Sequence, residues 1–528
     1  MHLHEFQELD RSKLIDLLSK SIDYEFLYIC DQIKHDNCKN MKYFMNYFKD
    51  NKTEVPEGWT KLADSKLSTK EIVAKTTLIG ILKGLKVSSN SEERWNISND
   101  AKLFFSYQSV SEYKSTRYRY LKAVLDSALD ENVQLLEFRR PVFGNVWYYE
   151  NNGSISYISA EEELNELRSL KKSYIAKNPK FIDFSFIIFA LRRHSNLESD
   201  KTLEMAIQYN KDHPDLVKGF DLVQEEDRGH SLLYHSDILI KAYNYGKNES
   251  NGTFQLYLHN AETNWAEDQL ISFREDSVPT LENIYDAMVL EPRRLGHGLG
   301  YIKHPQIYET LIKKDIAIEL CLASNHLLGY TSDVRTHPGL NYYRSGIPVV
   351  LAGDDPGTFG YNELTIEYYL ASLAWSLNIY DLRNFASSSI QYSSLADNEK
   401  SNALLKWKKE WEKFIFFSYN HICNKFVKSF KGKTEITSIL PPYSYFMKKA
   451  NITLYGEGLE SILCKNIICE FGEFQTNGYL SSINEIVCES PVSNQSHANL
   501  AVKILILDDA KQVIDEIDTK FNFSIIGN

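Results

Sequence analysis

The chain has 528 residues, with 59 Lys+Arg against 71 Asp+Glu and a formal net charge of −12. That exceeds one ordinary domain of about 100–200 residues, although a single α/β barrel can reach about 250 or more. Hydrophobic residues at 43% and charged residues at 25% match a folded globular composition. No long apolar run offers a membrane span, and the lack of a sustained basic block excludes a dedicated nucleic-acid binder.

In chain order, the first element is the run His2–Phe6, which reads as a strand. The start Met1-His2-Leu3-His4 lacks the basic segment and apolar core of a secretory signal, so taken alone it predicts a cytosolic chain. Residues from Tyr24 to about Gly58, holding Cys30 and Cys38, read as an inserted subdomain, because the chain between the first two strands is far longer than one crossover helix requires. From about residue 130 to 360, apolar β-rich runs alternate with helical patterns: Val133–Phe138, Phe186–Ala190, Lys218–Val223, Phe254–His259, Arg294–His297, Ala317–Leu322 and Pro348–Gly353. With the first run this makes eight strands in βα rhythm, which predicts a (β/α)8 TIM barrel with its active site at the C-terminal strand ends.

Leu404, Leu405, Trp407, Trp411, Phe414 and Ile415 then recur at helical spacing, predicting a long amphipathic helix from Asn398 to about Val427. After a polar break at Lys428–Lys433, short alternating runs separated by Gly, Asn and Ser predict a small all-β sandwich. The domains expected are thus a barrel over 1–427, with its insertion near 24–58, and a β-sandwich over 434–528. The seven Cys include Cys30 and Cys38 around one loop, and Cys423, Cys464, Cys469 and Cys488 toward the end. This spacing permits disulfides, which persist in oxidising compartments, and equally permits unpaired thiols.

Four segments carry candidate chemistry. His2 and His4 lie two apart on a strand and so project to one side, as a metal chelate requires, although such a pair also arises by chance among 14 His. Leu258-His259-Asn260-Ala261-Glu262 places an imidazole at a strand end with a carboxylate just beyond. Arg294-Leu295-Gly296-His297-Gly298 supplies another His between glycines that allow close backbone approach. Gly353-Asp354-Asp355-Pro356 pairs two carboxylates, an arrangement that costs free energy when buried unless a cation or donor compensates. Asp355 before Pro is also a helix-start signal.

In this order the segments resemble the adenosine deaminase family of metal-dependent amidohydrolases, and most closely its secreted growth-factor branch. Further matching pieces are Gly219-Phe220-Asp221-Leu222-Val223, Glu226 to Leu232, Ile318 to Asn325, Ser332 to Pro338 and Asp354 to Gly360. The likeness runs over most of residues 1–420. It implies zinc-dependent hydrolytic deamination of adenosine or 2′-deoxyadenosine to inosine or deoxyinosine and ammonia. By the same resemblance, His2, His4, His259 and Asp354 hold Zn²⁺, His297 orients the attacking hydroxide and assists its deprotonation, Glu262 protonates purine N1, and Asp355 hydrogen-bonds N7. The substrate side also includes Glu5, Asp221 and Gln224. Three positions depart from the family pattern: Glu5 stands where Asp usually holds the ribose 5′-hydroxyl, Gln224 where Gly offers its N–H to purine N3, and Ala261 where Gly is usual.

The C-terminal segments Ile436 to Pro441, Ile452 to Leu459, Cys469 to Gly472 and Ile486 to Pro491 resemble an IPT/TIG immunoglobulin-like domain. That resemblance implies a Cys469–Cys488 disulfide and a role in protein contacts or spacing; the chain separately leaves room for a homodimer. Both resemblances point to a secreted protein, against the reading of the N-terminus. Two alternatives stand beside the nucleoside deaminase: an enzyme acting on adenine nucleotides or another adenine derivative, with Arg192, Arg193 and Lys102 meeting phosphate, and a non-catalytic extracellular ligand that binds protein through its β-sandwich.

Overall fold

The computed structural model describes residues 2–4, 10–21, 23–30, 45–48, 55–76, 108–224, 226, 229–262, 282–361, 364–425, 434–508 and 511–527. The chain divides into two compact units, Met1–Trp407 and Lys408–Asn528.

The first unit is built on eight parallel strands hydrogen-bonded in sequence order: β1 (His2–His4), β2 (Leu135–Arg140), β3 (Asp183–Leu191), β4 (Val217–Val223), β5 (Gln255–Asn260), β6 (Arg294–His297), β7 (Ala317–Leu320) and β8 (Val349–Leu351). Parallel strands covered by helices are buried on both faces, which is why strands such as β3 and β8 read as near-continuous apolar runs. Helices follow the strands as the βα rhythm predicts, among them Ala160–Lys177, Asn196–Asp212, Ser236–Asn248 and Gly339–Arg344. Their starts are set locally: Ser195 and Glu198 form a capping box at Asn196–Asp212, and Asn378 and Asp381 form another at Ile379–Gln391. The (β/α)8 barrel expected from the sequence is present.

Alternate strand residues turn inward, and here many of them are charged. Arg139 on β2 reaches Asp221 on β4 at 2.6 Å and Glu319 on β7 at 2.7 Å. Arg294 on β6 reaches Glu319 at 2.6 Å and Glu137 on β2 at 2.7 Å. All five residues are buried, so the barrel interior is crossed by one chain of alternating charge. Near the N-terminal strand ends, the backbone N–H of Ser394 donates to Glu137 and the carbonyl of Tyr392 accepts from Arg294. The helix Asp397–Lys425 begins beside these residues, and its Ala403 packs with Leu135, Ile390 and Leu395.

The region expected as an insertion contains a three-stranded sheet of Leu27–Cys30, Met45–Tyr47 and Trp59–Lys61, with Leu27–Cys30 in the centre. Cys30 is disulfide-bonded; Cys38 lies outside the described residues.

The second unit contains eight strands between Glu435 and Ile526, all linked by hydrogen bonds in one run. Glu435–Leu440 lies at one end of the run and Tyr443–Tyr445 at the other, yet only Pro441 and Pro442 separate them in the chain. The sheet must therefore curl back on itself, and it does so around Ile452, Leu454, Phe471, Ile486, Ile504 and Phe523. Two disulfides staple this unit, Cys423–Cys464 and the expected Cys469–Cys488.

Candidate active site

At the C-terminal ends of β5, β6 and β8 the chain leaves its strands through residues with left-handed backbone. These are Ala261 at φ 55°, His297 at φ 69° and Asp354 at φ 59°, and Gln224 after β4 is at φ 94°. Non-glycine residues adopt this conformation at a cost of about 1–3 kcal/mol, and such strain clusters where side chains must be aimed. Its effect here is convergence: His259, His297 and Asp354 each bring a potential ligand atom within 4.8 Å of the others, and all three are buried.

The buried charge chain orients the first of these. The backbone N–H of His259 donates to Asp221 Oδ1 at 2.9 Å, and its ring Nδ1 lies 2.8 Å from Asp221 Oδ2. Burial alone would raise the Asp221 carboxyl, but the Arg139 guanidinium and the hydrogen-bonded His259 beside it hold it well below the usual carboxylate range. An ionised carboxylate only accepts, so Nδ1 of His259 carries the proton and Nε2 keeps its lone pair for a metal. Asp221, expected on the substrate side, instead has its oxygens occupied by His259 and Arg139. Its strand-centre position aims it into the barrel interior, where it positions the imidazole.

Glu262 is the next anchored group. Its backbone N–H donates to Glu226 Oε2 at 3.2 Å, while Glu226 Oε1 accepts from Arg192 at 3.1 Å and Arg192 also donates to the carbonyl of His259 at 2.6 Å. The Glu226–Arg192 pair thus clamps the turn between the His and the Glu from both sides. Glu262 Oε1 lies 3.7 Å from His297 Nε2. Burial lowers the His297 imidazole below its ordinary value, against the opposing pull of Asp354 and Glu319. Asp355 stands at the N-cap position of Pro356–Phe359 but makes no capping hydrogen bond with its side chain, so the helix-start reading does not account for this carboxylate.

Other expected residues fall differently. The β1 backbone pairs His2 with Glu137 and His4 with Arg139 in register, which sets the H-x-H strand beside the charged interior of β2. The side chains of His2 and His4, and all of Glu5 and Lys102, lie outside the described residues. Gln224 accepts from Arg193 Nε at 2.7 Å. Arg192, offered above as a phosphate ligand, is fully buried and committed to Glu226 and the His259 carbonyl. Sequence reasoning gave no role to Asn325 and His337, although both stand in quoted segments: Asn325 Nδ2 is 3.2 Å from His297 Nδ1, and its Oδ1 is 3.1 Å from His337 Nε2. Their polarity does not set them apart in a stretch that also holds His326, Asp333 and Arg335; their burial does.

At the mouth, the His259 imidazole locked by an ionised aspartate and the Asp354 carboxylate suit a zinc ion, with the His297 imidazole beside them. It is also a set in which a carboxyl group and an imidazole stand close enough to share the handling of protons.

Comparison with known proteins finds the following similarities. Residues 177–410 match the adenosine deaminase family model. Adenosine deaminase 2 of Sus scrofa is 28% identical over 316 residues, covering 59% of this chain and 58% of that protein. Adenosine deaminase 2-A of Danio rerio is 26% identical over 435 residues, 79% of each chain. Among solved structures, the apo N6-methyl-AMP deaminase of Arabidopsis thaliana aligns at a TM-score of 0.46 and 16% identity, over 77% of this chain and 95% of that one.

Proposed function

The barrel unit carries an adenosine deaminase family domain, and from that premise we propose that the protein hydrolytically deaminates adenosine or 2′-deoxyadenosine, giving inosine or deoxyinosine and ammonia. The observation that carries the reading is the meeting of His259, His297 and Asp354 within 4.8 Å, with the Glu262 carboxyl beside them. His2, His4, His259 and Asp354 would hold zinc. When bound, zinc acts as a Lewis acid and brings the pKa of water from 15.7 down to about 7.

The protein's own groups supply the rest. Asp221 fixes the His259 ring, and the Glu226–Arg192 clamp fixes the turn bearing Glu262. Glu262 delivers a proton to purine N1, which makes C6 electrophilic, and then assists departure of the amine. Asp355, in its protonated form, donates a hydrogen bond to purine N7, and His297 orients the attacking oxygen. Glu5 and Gln224 complete the substrate side. The clamped state of Arg192 favours a nucleoside over a nucleotide, because this cation is already spent on Glu226. The β-module acts as an IPT/TIG-like contact or spacing domain, the protein dimerises, and it works outside the cell. The Cys423–Cys464 and Cys469–Cys488 bonds support an oxidising location.

The test measures bound zinc together with the ultraviolet change on deamination, using adenosine, deoxyadenosine and their 5′-monophosphates. Glu262→Gln should retain zinc and lose about 10²–10⁴ in rate, whereas His259→Ala should lose both zinc and turnover. Full activity in either variant, or no purine turned over by the zinc-loaded protein, refutes the reading.

A further inference from the structure

After β7 the chain forms a short helix, Leu322–Leu327, then a 3-10 turn, Val334–Thr336, and then the helix Gly339–Arg344. Three buried polar groups on this stretch, Asn325, His337 and the backbone N–H of Gly339, form a hydrogen-bonded line that ends on His297. The direction of every bond in the line follows from its far end.

The N–H of Gly339 lies 3.0 Å from His337 Nδ1. A backbone N–H can only donate, so His337 Nδ1 is an acceptor. Burial lowers the His337 imidazole to about 3, so the ring is neutral and its proton sits on Nε2. That N–H must donate to Asn325 Oδ1 at 3.1 Å, which fixes which end of the amide is oxygen. The amide nitrogen then donates to His297 Nδ1 at 3.2 Å. His297 Nδ1 is therefore an acceptor, and the neutral ring carries its proton on Nε2, the atom 3.7 Å from Glu262.

The surroundings hold the line in place. Glu367 accepts the N–H groups of Leu322 and Ala323 at 2.7 and 3.1 Å, anchoring the first turn of the helix that bears Asn325. Gly339 is forced by close approach: a Cβ there would lie 2.7 Å from Leu320, 2.8 Å from Trp375 and 3.1 Å from His337 Nδ1. A side chain at 339 would push away the ring that its own N–H must meet.

We infer that Asn325, oriented by His337 and the Gly339 N–H, is a positioning residue that sets the tautomer of His297 and makes it a hydrogen-bond donor at Nε2 toward the reacting centre. It rests on the proposed deaminase reading only for its effect on rate; the tautomer itself is independent of any activity. It also revises the role expected for His297, since a ring with Nε2 protonated donates to the attacking oxygen and does not remove a proton from it.

The deciding experiment is nitrogen NMR on the full-length, zinc-loaded protein labelled at the histidine ring nitrogens, with His297 assigned by its loss in His297→Gln. The wild type should show His297 protonated at Nε2. In Asn325→Asp the side chain can only accept, so the proton should move to Nδ1, and kcat should fall about 10- to 100-fold with KM unchanged. In His337→Gln a donor to Asn325 is retained, and both the His297 signal and kcat should return to wild-type values. A wild-type His297 protonated at Nδ1, or an Asn325→Asp spectrum and kcat identical to wild type, overturns the inference. If wild type turns over no purine, the proposed function fails, while the NMR result still decides the tautomer.

Discussion

The two units of this chain solve the interior problem in opposite ways. In the β-module the core is Ile, Leu, Val and Phe together with a disulfide, and among the described residues its buried polar side chains are Ser444, Ser490 and Thr519. Its ion pairs, such as Lys449–Glu489 and Lys503–Glu516, lie at the surface. The barrel instead threads Glu137, Arg294, Glu319, Arg139 and Asp221 through its middle. Burying ions costs more than burying methyl groups, and well-packed hydrophobic replacements are often neutral or better. A fold that keeps five buried charges in series therefore holds them for something other than stability. In this barrel the series terminates on the His259 ring.

Breaking the barrel's chain should produce the largest effect. Arg139→Met leaves Asp221 and Glu319 buried without their shared cation, which should cost about 3–5 kcal/mol. Denaturant unfolding reads the loss, and zinc affinity should fall with it because His259 loses its fixed partner. Replacing both Cys469 and Cys488 by Ala should cost the β-module about 2–4 kcal/mol. Hydrogen exchange should show the loss confined to residues beyond 434, with deaminase activity unchanged. The smallest effect sharpens the comparison within the barrel. Ala261→Gly loses a buried methyl worth about 0.8 kcal/mol and adds about 0.5–1 kcal/mol of chain entropy. It also relieves about 1–2 kcal/mol of left-handed strain, so its midpoint should barely move. Ala128→Gly, inside the helix Lys114–Asp130, has both costs and no relief, and should be measurably less stable.

What could be read in advance divides along physical lines. Strands such as Asp183–Leu191 and Val349–Leu351 were visible because a strand buried on both faces is written as an apolar run. His259, His297 and Asp354 were visible because each ends such a run in a Gly- or carboxylate-containing turn. The family's two glycines replaced here, at Gln224 and Ala261, fall on left-handed backbone, so the departure noted in the sequence has a conformational cost in the structure. The tie between Arg139 and Glu319 spans 180 residues and leaves no local periodicity. The partners of Asp221 left no local sign for the same reason, since they lie on strands far away in the chain. The single hydrogen-bonded run of the β-module was also illegible, because alternation reports which residues face inward and is silent on which strands are neighbours.

The odd cysteine has a consequence for how the others mature. Cys321 is a free thiol buried at the end of β7, and burial pushes it well above the ordinary thiol value. Disulfide exchange requires an accessible thiolate, so once the barrel has closed, this sulfur can neither attack the Cys423–Cys464 and Cys469–Cys488 bonds nor be captured by them. Those bonds join residues only 41 and 19 apart in the chain, so each can form from its own neighbourhood. The barrel thus withdraws its own sulfur from exchange: Cys321 can take part in scrambling only in the interval before it disappears from solvent.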